Sequence, residues 1–147
     1  MSTRSQRRDL GILLFIANRA LEQRAFDAVV DAGFTDITLA QARVAARISL
    51  QGSRVTELAE QARVTKQSAA FLVEQLEAAG YVQRDPDPTD GRARLVRLTP
   101  RAQRVAQVAD AEVERVLTEW SDHVGQKRLR QMHQTLRDLR QITDPWR

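Results

Sequence analysis

Two helical segments separated by three residues constrain this chain more than any other feature. Residues 57–62 and 66–79 carry apolar positions at helical spacing, and only Arg63, Val64 and Thr65 join them. Thr56 and Thr65 stand where a side-chain oxygen accepts from the free N–H groups of a first helical turn, and Gly80 closes the second segment. So short a link makes the helices cross steeply. Leu58, Ala59, Ala62, Val64, Ala69, Leu72, Val73 and Leu76 supply the apolar set that locks the crossing, which makes a helix-turn-helix.

Directly after it the period changes from helical to alternating. Residues 81–84 read as a strand, and Asp85-Pro86-Asp87-Pro88-Thr89-Asp90-Gly91 as a long polar turn with a basic end. Residues 92–98 alternate again, with Val96 and Leu98 on one face and Arg97 on the other, so the segment predicts a β-hairpin, a wing. Thr99 as cap and Pro100 at the first helical position open a further helix reaching about Asp122.

The flanks are helical. Residues 7–32 form one long helix ending at Gly33, with Leu10, Leu13, Leu14, Ala17, Leu21, Ala28 and Val29 as a stripe. Ile12, Phe15, Ile16, Phe26 and Val30 widen that stripe beyond the roughly 100° a surface helix needs, which calls for cover on two sides. In so short a chain, a partner subunit is a ready source of the second cover. Thr38 with Gln41 forms a capping-box pattern for a helix over 39–49, stopped by Gly52. Beyond Gly125, Leu129, Met132, Leu136 and Leu139 recur at coiled-coil-like spacing.

A length of 147 residues is one domain's worth of chain. The net charge of +4 says little about partners, but residues 91–104 hold Arg92, Arg94, Arg97, Arg101 and Arg104 and no acid. The absence of cysteine excludes disulfides, zinc-thiolate sites and thiol chemistry. The longest apolar run, residues 10–17, is too short to span a bilayer, and the polar first residues show no secretory signal, so the expected compartment is the cytoplasm and no membrane partner is expected. Asp85, Asp87 and Asp90 do not make a calcium loop, because the third acid comes one place late and Val96 stands where glutamate is needed. His123 and His133 lie ten residues apart, so no metal site is expected. Without a nucleophile–base set, phosphate loop or paired carboxylates, the chain reads as no enzyme and as holding no cofactor.

Three segments carry a resemblance: residues 55–68 (VTELAEQARVTKQS), 72–82 (LVEQLEAAGYV) and 85–99 (DPDPTDGRARLVRLT). With them the chain resembles the MarR family of dimeric winged helix-turn-helix regulators. The resemblance implies a mainly α fold with a small β-wing: one domain over 1–147, a core at about 36–99, and dimerisation helices at about 7–32 and 100–142. It also implies a homodimer joined by its first and last helices, binding double-stranded DNA at a pseudo-palindromic operator, most often as a repressor. A small-molecule effector would sit where the dimer region meets the DNA-binding lobe. The alternative function is a winged-helix module for protein contacts without its own operator. Two positions depart from the family pattern: Arg63 stands where glycine is common, and Phe71 where many relatives carry a basic recognition-helix residue.

The expected DNA-contacting residues follow from this layout. Thr65, Lys66, Gln67, Ser68, Ala70 and Phe71 lie on the outer face or first turn of the second helix. There glutamine suits adenine, lysine suits guanine or phosphate, and Ala70 and Phe71 suit thymine methyls. Phe71 has an alternative in packing under the wing. Arg92 and Arg94 are expected at phosphates or the minor groove, with Asp90 bracing Arg92. Phe15, Phe26, Phe34 and Trp120 fit core or interface packing more readily than an effector pocket, and no convergent polar set names an effector.

Overall fold

The structure, a computed structural model, describes residues 3–146. Its elements run α1 (Thr3–Asp31), α2 (Leu39–Ala45), α3 (Val55–Ala62), α4 (Lys66–Ala78), β1 (Val82–Asp87), β2 (Asp90–Leu98), α5 (Pro100–Val124) and α6 (Gln126–Thr143). The fold is mainly α with a two-stranded antiparallel wing, as the sequence predicts. Two compact units emerge: Ala32–Gln107, and the segments up to Asp31 and from Val108 onward.

In the unit Ala32–Gln107, α4 is the central element. Its inner stripe of Ala69, Val73 and Leu76 is fully buried, as is Leu58 of α3. Buried Gln41 of α2 has its polar atoms satisfied: its Oε1 accepts from the Thr38 N–H at 3.0 Å, and its Nε2 donates to Gln75 Oε1 on α4 at 3.0 Å. The Thr38–Gln41 capping box is therefore present, and it also ties α2 to α4.

α3 and α4 end in the same hydrogen-bond pattern. Val64 N–H donates to Ala59 O and Arg63 N–H to Glu60 O, while Tyr81 N–H donates to Leu76 O and Gly80 N–H to Glu77 O. Gly80 supplies the left-handed residue at φ +81°, and Arg63 does so at φ +52°. A side chain in that region costs about 1–2 kcal/mol. Glycine loses more chain entropy on folding, about 0.4–1 kcal/mol. Arg63→Gly is therefore expected to stabilise the protein by about 0.5–1 kcal/mol, read as a rise in Tm of about 2–3 °C. An unchanged or lowered Tm would contradict the strain at this turn.

α1 begins at Thr3 rather than residue 7, and element boundaries differ further from the expectations in three places. α2 stops at Ala45 rather than residue 49, because Arg47 and Ile48 donate three residues back, to Val44 O and Ala45 O, and tighten the chain out of the helix. α3 starts at Val55 with Arg54 as its N-cap, so Thr56 is an internal residue. Glu57 reaches back to accept from the Arg54 N–H at 3.4 Å, and the Arg54 side chain is drawn away to Asp87. The hairpin tip is tight rather than long: Asp87 pairs with Asp90, leaving only Pro88 and Thr89 between them. The Asp87 carboxylate accepts from the Thr89 N–H at 2.8 Å, and the Asp90 carboxylate from the Arg92 N–H at 3.0 Å. The ladder slips in register between Pro86 and Asp87, where proline has no N–H to donate.

Ser53, which lies outside every element expected from the sequence, forms an antiparallel bridge with Val96, with bonds of 3.0 and 2.8 Å. This bridge seats β2 against the start of α3.

In the other unit, Arg24 of α1 pairs with Glu112 at 2.8 Å and Glu119 at 2.9 Å, both on α5. Of its described side chains only Val29 and Val116 are buried, and α6 buries none. The surplus apolar surface expected of these helices is present. Leu10, Ile12, Leu13 and Phe15 of α1 and Met132, Leu136, Leu139 and Ile142 of α6 are all exposed.

Candidate nucleic-acid interface

The turn between α3 and α4 presents the first turn of α4 to solvent. Thr65 Oγ1 accepts from the Ser68 N–H at 3.0 Å and donates to Ser68 Oγ at 2.9 Å, so these two side chains are engaged with each other. Thr65, Lys66, Gln67 and Ser68 are exposed, Ala70 is half-buried and Phe71 is exposed. Burial of Ala69, Val73 and Leu76 on the inner side turns Gln67, Ala70, Phe71 and Glu74 outward as one stripe. The alternative of Phe71 packing under the wing does not hold, since its exposure is 59%.

The wing arginines divide into two kinds. Arg92 and Arg94 are exposed, and among the described residues neither guanidinium has an ion-pair partner. Arg97 is half-buried and paired with Asp85 at 3.1 Å, and Arg101 is paired with Asp36 at 2.9 Å. The run of positive charge over 91–104 is therefore partly neutralised by acids distant in sequence. Asp90 braces the wing through the backbone N–H of Arg92 rather than through its guanidinium.

Two clusters escaped the sequence reading. At the wing, the Arg54 guanidinium donates to buried Asp87 at 2.7 and 3.0 Å and lies 4.0 Å from Asp90. The Thr89 N–H and hydroxyl, with Arg54, hold the Asp87 carboxyl at about 2. Nothing in spacing links Arg54 to Asp87, 33 residues on, although the Asp87-x-Thr89 turn was visible. At the other end of α4, Arg101 donates to the Ala79 carbonyl and lies 4.4 Å above the Tyr81 ring. It also donates to Asp36, which accepts from the Tyr81 hydroxyl. Arg101, and then Tyr81, hold the Asp36 carboxyl below its ordinary value, while burial and the bond to Asp36 push the Tyr81 phenol up to about 12. This cluster fixes the C-terminal end of α4 against the first turn of α5.

The Asp87 shift has a signed consequence. A carboxyl with a lowered folded-state value adds stability above the ordinary value of 3.8 and loses it as pH falls through about 2. Melting curves between pH 5 and 2 are expected to show a steeper loss of Tm in the native protein than in Asp87→Asn. Parallel curves would remove Asp87 from the acid response.

Among the described residues no group of three His, Cys, Asp or Glu side chains is placed to hold a metal. In the unit of chain ends, a groove of about 380 Å³ is lined by Ala17, Trp120, His123, Val124, Arg128, Leu129 and Met132. Of the four aromatics considered for a pocket, only Trp120 lines it. Phe34 lies 6.0 Å from Arg101, and Phe15 is exposed with Arg19 at 5.8 Å.

The sequence matches no curated protein closely enough to count as a relative. Solved structures match over nearly the whole chain. A MarR family protein from Bacillus stearothermophilus is 21% identical, with 97% of this chain and 98% of that one covered and a TM-score of 0.73. The transcriptional regulator Tm0710 from Thermotoga maritima is 24% identical, covering 93% and 95%, with a TM-score of 0.66. CouR from Rhodococcus jostii RHA1, solved bound to p-coumaroyl-CoA, is 24% identical, covering 93% of each chain, with a TM-score of 0.68. At these identities the likeness shows the fold. The sequence model of the MarR family matches residues 35–93, the stretch that holds α2, the α3–α4 pair and the wing up to Ala93. The helix-turn-helix, most of the wing and this match fall in one segment, so residues 35–93 are similar to the MarR family and the chain as a whole has the fold of the MarR-family structures it matches.

Proposed function

We propose that this protein is a homodimeric, effector-responsive repressor that binds a pseudo-palindromic operator in the cytoplasm. The observation that carries the reading is the exposed first turn and outer stripe of α4, together with two exposed wing arginines that have no ion-pair partner among the described residues. Lys66 and Gln67 would reach base edges, and the free N–H groups at the start of α4 beside Thr65 would hold a phosphate. Arg92 and Arg94 would reach the backbone or minor groove, adding affinity more than base readout. The exposed apolar residues of α1 and α6 support a dimer, which would set two recognition helices about one DNA turn apart. That CouR, which has this fold, was solved bound to p-coumaroyl-CoA supports a small-molecule effector here. In this chain an effector would act by favouring a dimer geometry that mis-spaces the helices, a coupling of about 1–3 kcal/mol.

The test is a titration of the full chain against its own upstream DNA and a scrambled duplex at two salt concentrations. A preference of at least about 10³-fold with one dimer per site is expected. Equal, salt-fragile binding to both duplexes would overturn the reading in favour of a protein-contact module. Arg92→Ala is expected to weaken binding to both duplexes alike and to lower the salt slope by about 1 per contact removed. A changed base preference with an unchanged slope would remove Arg92 from the backbone.

A further inference from the structure

We propose that Phe71 reads the 5-methyl group of a thymine in the major groove, with Gln67 one turn earlier taking an adenine edge. This rests on the DNA-binding reading above and states what its central recognition residues bind.

Phe71 is the one large apolar side chain on an otherwise polar or small outer stripe, Gln67, Ala70, Phe71 and Glu74. Its exposure is 59%, and among the described residues no ring or cation contact involves it. The inner face of α4 is already filled by Ala69, Val73 and Leu76, so the ring has no place in the core of its own unit. A phosphate backbone is a poor occupant: the ring offers neither charge nor donor, and the Glu74 carboxylate one turn on repels phosphate. The major-groove floor does offer an apolar target, the C5-methyl of thymine. Gln67 and Phe71 are four residues apart and share a face, and glutamine pairs bidentately with adenine N6 and N7. Half-buried Ala70 beside them is small enough to let the helix approach the bases. Together these residues fit a step built from A·T pairs.

The experiment selects a duplex from an unmodified random-sequence DNA pool with the full chain, a pool whose C5-methyl groups are all on thymine. That duplex is then resynthesised with deoxyuridine replacing one thymine at a time, which removes the methyl and keeps every hydrogen-bonding group. One position per recognition helix is expected to lose affinity about fourfold, the worth of one buried methyl. Phe71→Ala, at an exposed position, is expected to keep its melting temperature. It should bind the thymine and uracil duplexes equally, and its salt slope should match that of the native chain, since no phosphate contact is lost. Selective binding that tolerates uracil at every position would overturn the role of Phe71 and leave the operator reading standing. A fourfold uracil effect that persists in Phe71→Ala would assign the methyl to another residue and overturn it too. Recovery of no preferred duplex would overturn both readings.

Discussion

A glutamate in place of Leu13 is expected to leave the protein monomeric and to lower its specific DNA affinity by about 10³-fold, to the level of non-specific binding. Leu13 is 59% exposed in the middle of α1, flanked by the exposed side chains of Leu10, Ile12, Leu14, Phe15 and Ile16. Ile142 of α6 is 83% exposed, and α6 buries no residue of its own. Each such side chain contributes about 1.5–3 kcal/mol when covered, so a contiguous set of them is a strong drive for association. In a two-fold interface the substitution enters twice. Two carboxylates would then lose water without a partner, at several kcal/mol each, which outweighs the apolar gain. Sedimentation velocity reads the mass, circular dichroism checks that helix content persists, and the upstream-DNA titration reads the affinity. A variant that still sediments as a dimer with native affinity would place α1 outside the interface.

How far the sequence could be read depended on the range of the interactions. Local chemistry was legible: Thr65 as a cap, the Thr38–Gln41 box, and Pro100 opening α5 all depend on residues within four positions. At Arg63 the resemblance pointed only to a position where glycine is common, and the structure gives the reason, a left-handed backbone at φ +52°. Phe71 was ambiguous because helical spacing places it on the outer stripe but says nothing about whether the wing covers it. What stayed hidden is what crosses the chain. Arg54–Asp87 and Arg101–Asp36 join residues 33 and 65 positions apart, and no spacing rule pairs them. The arginine run after Gly91 overstated the positive surface because Arg101 faces Asp36 and Arg97 faces Asp85 across the hairpin. The hairpin tip misled for a related reason. Asp and Pro are turn formers in general, yet here Asp85 and Pro86 pair across the ladder with Leu95 and Arg94.

Gly52→Ala is expected to be among the most damaging single-methyl changes in the winged unit, costing about 2–4 kcal/mol. Gly52 sits at φ +95°, which strains any side chain by about 1–2 kcal/mol. A Cβ there would also lie 3.1 Å from Leu95 Cβ, 3.2 Å from Arg97 Cγ and 3.4 Å from the Val96 carbonyl oxygen. The Arg97 side chain can swing away, at the expense of its pairing with Asp85, but Leu95 Cβ is fixed to the backbone of β2. Relief would therefore push β2 outward and stretch the Ser53–Val96 bridge, the only backbone pairing the described residues make between the hairpin and the segment leading into α3. Gly33→Ala is the matched control: its φ is +97°, but its Cβ would meet nothing within 4 Å, so it carries the backbone strain alone. At about 3 °C per kcal/mol for a chain of this size, Gly52→Ala is expected to melt several degrees below Gly33→Ala. The same displacement would move Arg92 and Arg94 with β2, so at a temperature where both variants are folded, only Gly52→Ala should also bind the upstream duplex more weakly. Equal melting of the two variants would mean that β2 does not approach Gly52 closely enough to require glycine, and the wing would owe its seat to Arg54 and Asp87 instead.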